Sequence, residues 1–332
     1  MTGGALRRAD GLPAGPPRPE GRTVGVSVAD APDPSTRARS SGAYIGRFAP
    51  SPTGPLHLGS LVAAVGSFVD ARRNGGRWLM RIEDLDTARI VPGCADSILH
   101  TLELFGLRWD GEVEYQSRQK DRYLHALESL QSRGLTFECS CSRREATNTG
   151  DSGYPGTCRA GPARPGPTAI RFRIDDDQRV RFEDLVQGWC QFDLRTLGDF
   201  VVRRRDGAFA YQLAVVVDDA ERGVTDVIRG ADLLESTAWQ IALQQALGYD
   251  SPRYGHLPLV VEPPQGKLSK SRRSVAVEAG RAVPQLIAAL RLLQHPPPAE
   301  LARAGVSELL AWAGSTWSLE RLRGLREVTP AS

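Results

Sequence analysis

The chain has 332 residues, 41% hydrophobic and 24% charged, the make-up of a globular protein of about two domains. Lysine plus arginine exceed aspartate plus glutamate by only three, so net charge points to no polyanionic partner; apart from Lys120, Lys267 and Lys270, every basic residue of that pair is arginine. No apolar run reaches the ~18–20 residues of a membrane span and the N-terminus lacks the apolar core of a secretory signal, so the expected compartment is the cytoplasm, with no membrane partner.

Residues 1–42 are rich in Gly, Pro, Ala, Arg and Ser with little apolar periodicity, and read as a disordered extension. From Tyr44 the pattern changes. "YIGRFA" reads as a strand, and Leu58, Leu61, Val62, Val65, Phe68 and Val69 then recur at the spacing of an amphipathic helix. "RWLMRIED" is a second strand, and residues 93–106 form a helix ending at Gly106. Strand, helix, strand, helix implies a parallel sheet with crossovers, whose ligands bind beyond the carboxyl ends of the strands. The loop "RFAPSPTGPLHLGS", residues 47–60, occupies that position.

Tyr123, Leu127 and Leu130 line another helix, stopping at Gly134, and residues 137–168 are rich in cysteine, glycine and proline. "AIRFRI" and "RVRFEDL" are strand-like. The parallel pattern is expected to resume near Gly198 with "DFVVRRRDGAFAYQLAVVVDD", through "TDVIRGADLL" and a helix around 235–247. "HLPLVV" is strand-like and leads to "KLSKS", residues 267–271. After Val275 only short helical segments remain, separated by "HPPPAE". The expected fold is therefore α/β. A Rossmann-like parallel-sheet catalytic domain covers 43–109 and 196–275, an inserted subdomain covers 110–195, and a short helical C-terminal region covers 276–332.

The 47–60 loop is neither a GxGxxG nor a GxxxxGK[ST] loop, yet it shares their physics. Gly54 and Gly59 permit close backbone approach, the following helix offers unpaired N–H groups to an anion, and His57 can donate to phosphate oxygens. A tight structural turn would use the same residue types. In "KLSKS" two lysines and two serines could follow a triphosphate and stabilise a leaving pyrophosphate, although alone the stretch is also an ordinary solvated loop. Together the two elements point to a nucleoside triphosphate.

Five cysteines, Cys94, Cys139, Cys141, Cys158 and Cys190, are too few and too unevenly spaced for a disulfide scaffold. Cys139, Cys141 and Cys158 fall within twenty residues and could supply three thiolates to one metal ion. Structural zinc takes four ligands, and no histidine lies between His125 and His256. The fourth is then Cys190, in a different strand pattern, or the nearer Tyr154. The alternative is a small cluster of reduced, buried cysteines. A metal would fold a subdomain too polar to fold alone.

"HLGS" and "KLSKS" resemble the HIGH and KMSKS motifs of class I aminoacyl-tRNA synthetases. "RFAPSPTGPLHLGS", "RIEDLDTAR", "FAYQLAVVVDD" and "VIRGADLL" resemble the glutamyl branch, from about Tyr44 to Val275. Ser60 replaces the second histidine of HIGH and Leu268 the methionine of KMSKS, both usual in that branch. Little follows the KLSKS loop, where a full glutamyl enzyme carries a helical anticodon-binding region; a truncated paralogous family lacks it, and this sequence resembles that family most.

The resemblance implies ATP-dependent activation of L-glutamate and transfer to queuosine in the anticodon of tRNA(Asp), by a monomer. Charging of tRNA(Glu) by a trimmed glutamyl enzyme, or a non-catalytic ATP- or RNA-binding role, are its rivals. It also implies that Arg47, Phe48, Ala49, Pro50 and Ser51 line the glutamate site, with Arg47 suited to holding a carboxylate. Glu83 would accept the ammonium group, and Tyr211 and Arg229 would complete the pocket, Arg229 pairing with the second carboxylate. His57, Gly59, Lys267 and Lys270 would contact ATP with its Mg²⁺, His57 and Lys270 serving catalysis. The paralogous family's Cys-x-Cys, Tyr-x-x-x-Cys zinc arrangement falls on Cys139, Cys141, Tyr154 and Cys158. Without the resemblance, Glu83, Asp84 and Asp86 could equally be a solvated strand end paired with Arg81 or Arg89, and Tyr211 a core tyrosine.

Overall fold

The computed structural model describes residues 43–147, 153–175, 177–261 and 277–330. The first half carries Ile45–Phe48 (β1), Leu58–Arg73 (α1), Arg77–Ile82 (β2), Cys94–Leu104 (α2), Glu114–Tyr115 (β3), Lys120–Ser132 (α3), Thr136–Cys139 (β4) and Arg143–Thr147 (α4). Then come Ala169–Phe172 (β5), Arg179–Asp184 (β6), Gly188–Asp193 (β7), Leu194–Leu197 (α5), Phe200–Arg203 (β8), Tyr211–Glu221 (α6), Asp226–Gly230 (β9) and Leu234–Leu247 (α7). Arg253–Leu257 (β10), Leu259–Val260 (β11), Ala282–Leu292 (α8), Val306–Thr316 (α9) and Glu327–Val328 (β12) complete the order.

β1 pairs with β2 and β2 with β3, all parallel. β9, β10 and β6 are likewise parallel neighbours, and β7 folds back antiparallel on β6. The two groups meet at β1 and β9, where the Thr225 N–H donates to the Ile45 carbonyl at 2.9 Å and the Ile45 N–H to the Thr225 hydroxyl at 2.8 Å. The chain leaves β1 to build one side of this seam and returns to build the other. That reversal opens a crevice at the strands' carboxyl ends.

Two expectations change. The strand at "FVV" (β8) does not resume the parallel sheet: with β4 and β5 it forms a separate antiparallel sheet. The parallel group is β9 and β10 with the earlier β6, which falls inside the 110–195 stretch read as inserted. A strand followed by a helix looks the same in either setting, because periodicity reports which faces are buried and not which strand lies alongside. The helix α1 is also buried nearly all round, at Leu61, Val62, Ala64, Val65, Gly66, Ser67, Phe68 and Val69. It lies between the sheet and helices α8 and α9, so its second face is covered too. Gly66 lets α1 pack closely there: a Cβ would stand 2.6 Å from Leu257 Cδ1, and that side chain would have to shift.

The segment after α9 is anchored on α1. The Trp317 indole N–H donates to Asp70 Oδ1 at 2.9 Å and the Tyr44 hydroxyl to Asp70 Oδ2 at 2.6 Å, all three side chains being buried. No helix among the described residues is long and apolar enough to cross a membrane.

Candidate active site and metal knuckle

Beyond the carboxyl ends of β1, β2, β9 and β10 lies a cavity of about 960 Å³. This is at the upper end of the roughly 300–1,000 Å³ typical of ligand pockets. Arg47, Phe48, Ala49, Pro50, Ser51, His57, Gly59, Glu83, Tyr211 and Arg229 all lie on its wall. Lys267 and Lys270, with the rest of "KLSKS", lie outside the described residues.

The 47–60 loop is held by its own carbonyls. Pro50 accepts from the Glu83 N–H, Pro52 from the Val91 N–H, and Gly54 from the Cys94 thiol, each at 2.9–3.0 Å. The loop is thereby pinned to the segment after β2 and to the start of α2. His57 is the N-cap of α1: its Nδ1 accepts from the Ser60 N–H at 3.2 Å. Burial holds its pKa below the ordinary value, Asp232 opposing. The ring lies over Gly59, where a Cβ would stand 3.2 Å from Nδ1.

At one end of the cavity the arginines have acids. Asp219, buried on α6, receives Arg47 Nε at 3.2 Å and Arg81 Nη1 at 2.7 Å. Burial would raise the Asp219 carboxyl, but the two guanidiniums outweigh it and hold it below the usual range. Its neighbour Asp218 is bonded by Gln116 and Tyr123 and is pushed up to about 6 by burial, with Arg81 Nε 3.7 Å away opposing. Glu83 takes Arg81 Nη2 at 3.4 Å, yet burial still raises its pKa. The terminal nitrogens of Arg47 and Glu83 Oε2 have no partner among the described residues.

The ion pairs of an ordinary strand end are thus present: Arg81–Glu83, and Arg89–Asp86 at 2.7 Å. Asp84 is taken by the Ser117 N–H and hydroxyl, at 2.7 and 2.6 Å. Both Glu83 and Asp86 line the cavity, and Glu83 differs in being nearly buried, its side chain 10% exposed against 26% for Asp86.

Also on the cavity wall, Arg229 is 5% exposed and touches no carboxylate among the described residues. Nε donates to His256 Nε2 at 3.2 Å, Nη2 to Thr237 Oγ1 at 2.8 Å and Gln240 Oε1 at 2.7 Å, and Nη1 to the Tyr211 hydroxyl at 3.4 Å. Burial raises the Tyr211 phenol, Arg229 opposing. The unbalanced cation faces a cavity wide enough for a ligand, and can bind the anion it lacks.

Sequence reasoning gave Arg81 only as the partner of a strand-end acid and passed over Asp218, Asp219, His256, Asp184, Thr237 and Gln240 as site residues. A usable signal was "LAVVVDD": two aspartates ending an apolar run on a buried helix need cations opposite them.

The cysteines make a second site. The sulfurs of Cys139, Cys141 and Cys158 lie within 4.8 Å of one another. Cys141 Sγ is 3.6 Å from Cys158 Sγ, and the Tyr154 hydroxyl is 3.3 Å from Cys139 Sγ and 3.6 Å from Cys141 Sγ. Tetrahedral zinc with the usual bond lengths needs about 3.8 Å between sulfurs and about 3.5 Å from sulfur to oxygen. The donor set fits such an ion. Cys190 is not among these ligands: it is buried in β7, in a different apolar cluster, and burial pushes its thiol up to about 12.

Tyr154 is placed by a close crossing of two chain segments. Gly153 lies against Leu197, where a Cβ would stand 2.0 Å from the carbonyl oxygen, and Gly198, with φ +69, meets the Tyr154 nitrogen. Arg171 stacks 3.9 Å above the Tyr154 ring, and Arg205 Nη2 donates to the Ser140 and Cys141 carbonyls.

Residues 45–285 match the family model for the catalytic domain of class I tRNA synthetases (E and Q). The chain is 51% identical over 286 residues to the glutamyl-Q tRNA(Asp) synthetase of Dechloromonas aromatica, covering 83% of this chain and 95% of that protein. It is 53% identical over 282 residues to the protein of the same name from Pseudomonas aeruginosa, covering 84% and 95%. Among solved structures, a glutamate tRNA ligase from Elizabethkingia meningosepticum in complex with its amino acid is similar with a TM-score of 0.69 at 26% identity, covering 87% of this chain and 67% of that one. The glutamate-tRNA synthetase of Elizabethkingia anophelis gives 0.72 at 26% identity, covering 88% and 68%.

Proposed function

Because the chain belongs to the class I tRNA synthetases of the glutamate and glutamine type, we propose that it is a ligase that activates L-glutamate with ATP and transfers it to queuosine in the anticodon of tRNA(Asp). The relatives that carry this activity in their name are matched over 95% of their length at about half identity, against 26% for the glutamate tRNA ligases. The observation that carries the amino-acid end is Arg229, a buried cation with no acid among the described residues, on the wall of a cavity whose other arginines are paired with acids.

The substrate's distal carboxylate pairs with Arg229 beside the Tyr211 hydroxyl. Its ammonium group meets Glu83, whose raised pKa a cation would bring back down. The free nitrogens of Arg47 face its α-carboxylate. An oxygen of that carboxylate attacks the α-phosphorus of ATP, the bond to the β-phosphate breaks, and pyrophosphate leaves with the charge. A queuosine hydroxyl then attacks the acyl carbon, loses its proton and expels AMP.

Neither step needs a protein nucleophile; positioning and charge stabilisation supply the rate. His57, Gly59, Lys267 and Lys270 are assigned to ATP, which brings Mg²⁺ with its phosphates. Cys139, Cys141, Cys158 and Tyr154 are assigned to a structural zinc, which ties the polar knuckle together and takes no part in the reaction.

Glutamate transfer to purified tRNA(Asp), with and without queuosine, tests the reading. Transfer to the queuosine-bearing tRNA alone is expected. Transfer that survives loss of queuosine, or charging of tRNA(Glu) instead, overturns the acceptor, and absence of any glutamate-dependent exchange between pyrophosphate and ATP overturns the activity. Metal analysis is expected to find about one zinc per chain, lost on Cys139→Ser; protein purified without chelator and free of zinc removes the metal assignment.

A further inference from the structure

The donors of Arg229 can be accounted for one by one. A guanidinium has five N–H bonds in a fixed plane. The Nε–H goes to His256 and the two Nη2–H bonds to Thr237 and Gln240. One Nη1–H goes to the Tyr211 oxygen, which leaves the other Nη1–H and the Tyr211 proton without an acceptor among the described residues. Only donors therefore point from this edge into the cavity. That suits a carboxylate, which accepts at both oxygens, better than an amide, whose NH₂ would meet a donor.

The arrangement holds only if His256 Nε2 accepts. A ring protonated at Nε2 would turn its N–H toward the Nε–H of Arg229 and have Thr237 Oγ1, 3.1 Å away, as its acceptor in place of the arginine. His256 is fully buried, and its Nδ1 lies 2.6 Å from Asp184 Oδ2. Asp184 is itself oriented by the N–H groups of Val186, Gln187 and His256, at 2.8–3.0 Å. A carboxylate so placed takes the Nδ1 proton and leaves Nε2 with its lone pair.

We infer that His256, held in its Nδ1–H form by Asp184, is a positioning residue that turns the donor-only edge of Arg229 and Tyr211 toward the distal group of the substrate, and so sets the preference for the acid over the amide. The inference rests on the glutamate reading above. Burial keeps the imidazole pKa below its ordinary value, Arg229 acting in the same direction while Asp184 and Asp232 oppose, so the ring is neutral at pH 7. The acid end of this relay lies on β6 and the arginine on β9, with β10 between them. Three strands separated in sequence thus fix one guanidinium.

The test compares His256→Leu, which removes the acceptor, with His256→Gln, whose amide oxygen can replace Nε2. Glutamate- and glutamine-dependent pyrophosphate exchange are measured with tRNA(Asp) present, and thermal unfolding is measured separately. His256→Leu is expected to raise the glutamate KM about ten-fold or more, with kcat changed by less than about three-fold and discrimination against glutamine reduced. His256→Gln is expected to restore most of the KM. In ¹⁵N-labelled wild-type protein the His256 ring should show the Nδ1–H tautomer. An unchanged KM in a folded His256→Leu variant, equal losses in both variants, or an Nε2–H ring overturns the inference. Wild-type protein without glutamate-dependent exchange overturns the glutamate reading instead, so the two failures are told apart.

Discussion

The two ends of the proposed glutamate site treat a buried arginine in opposite ways. Around Asp219, the Arg47 and Arg81 guanidiniums share one carboxylate, with Asp218 and Glu83 nearby. Around Arg229 every partner is neutral: an imidazole, a hydroxyl, an amide and a phenol. Both arrangements satisfy hydrogen bonds, and only the first cancels charge. A cation paired with acids is part of the framework, since removing either member leaves the other uncompensated in low dielectric. A cation held by neutral groups keeps its field available to a carboxylate that arrives later.

Removing acid from the first end should have the largest effect. Asp219→Ala leaves two buried guanidiniums short of an acid and is expected to cost about 3–5 kcal/mol of stability in urea unfolding. An Asp219→Ala protein as stable as wild type would break the contrast. Next is Arg229→Ala, which removes charge without orphaning an acid. The loss of stability should be smaller than for Asp219→Ala, because the buried groups left without a partner are neutral. The glutamate KM should rise about 100-fold, equivalent to about 3 kcal/mol of lost charged hydrogen bonding. A large loss of stability with KM unchanged would make Arg229 another framework arginine.

Asp218 gives the smallest and most pH-specific effect. Its folded pKa is pushed up to about 6, chiefly by burial; the ordinary value is about 4. The folded state therefore holds this proton more tightly than the unfolded chain, and the carboxyl costs stability as pH rises from about 4 to about 6. Asp218→Asn should remove that slope, gaining on wild type by up to roughly 2.7 kcal/mol across the window. Parallel pH profiles for the two proteins would show that Asp218 does not titrate there.

The ends also differ in how legible they were. Arg47, Glu83, Tyr211 and Arg229 are assigned to the site by resemblance, and the fold brings all four to the cavity wall because each lies next to a strand end or helix start. Asp219 could not be read, because its partner Arg47 is 172 residues away and no local pattern links them. His256 and Asp184, 72 residues apart, were hidden for the same reason. The alternation of strands and helices was legible from periodicity, and the convergence of Cys139, Cys141 and Cys158 from spacing. The antiparallel place of β8 was not, nor the second covering of α1, since both depend on what packs alongside. Tyr154 or Cys190 as the nearest oxygen or sulfur was settled only by fold: the Gly153–Gly198 crossing brings the tyrosine in, and β7 carries the cysteine away.

Asp70 governs where this protein can be shortened. Burial raises its carboxyl, and the Tyr44 hydroxyl and Trp317 indole are the donors that offset that cost. A gene trimmed upstream of codon 317 would abandon this acid inside the first helix with one donor fewer. Deletion series should therefore keep the tryptophan.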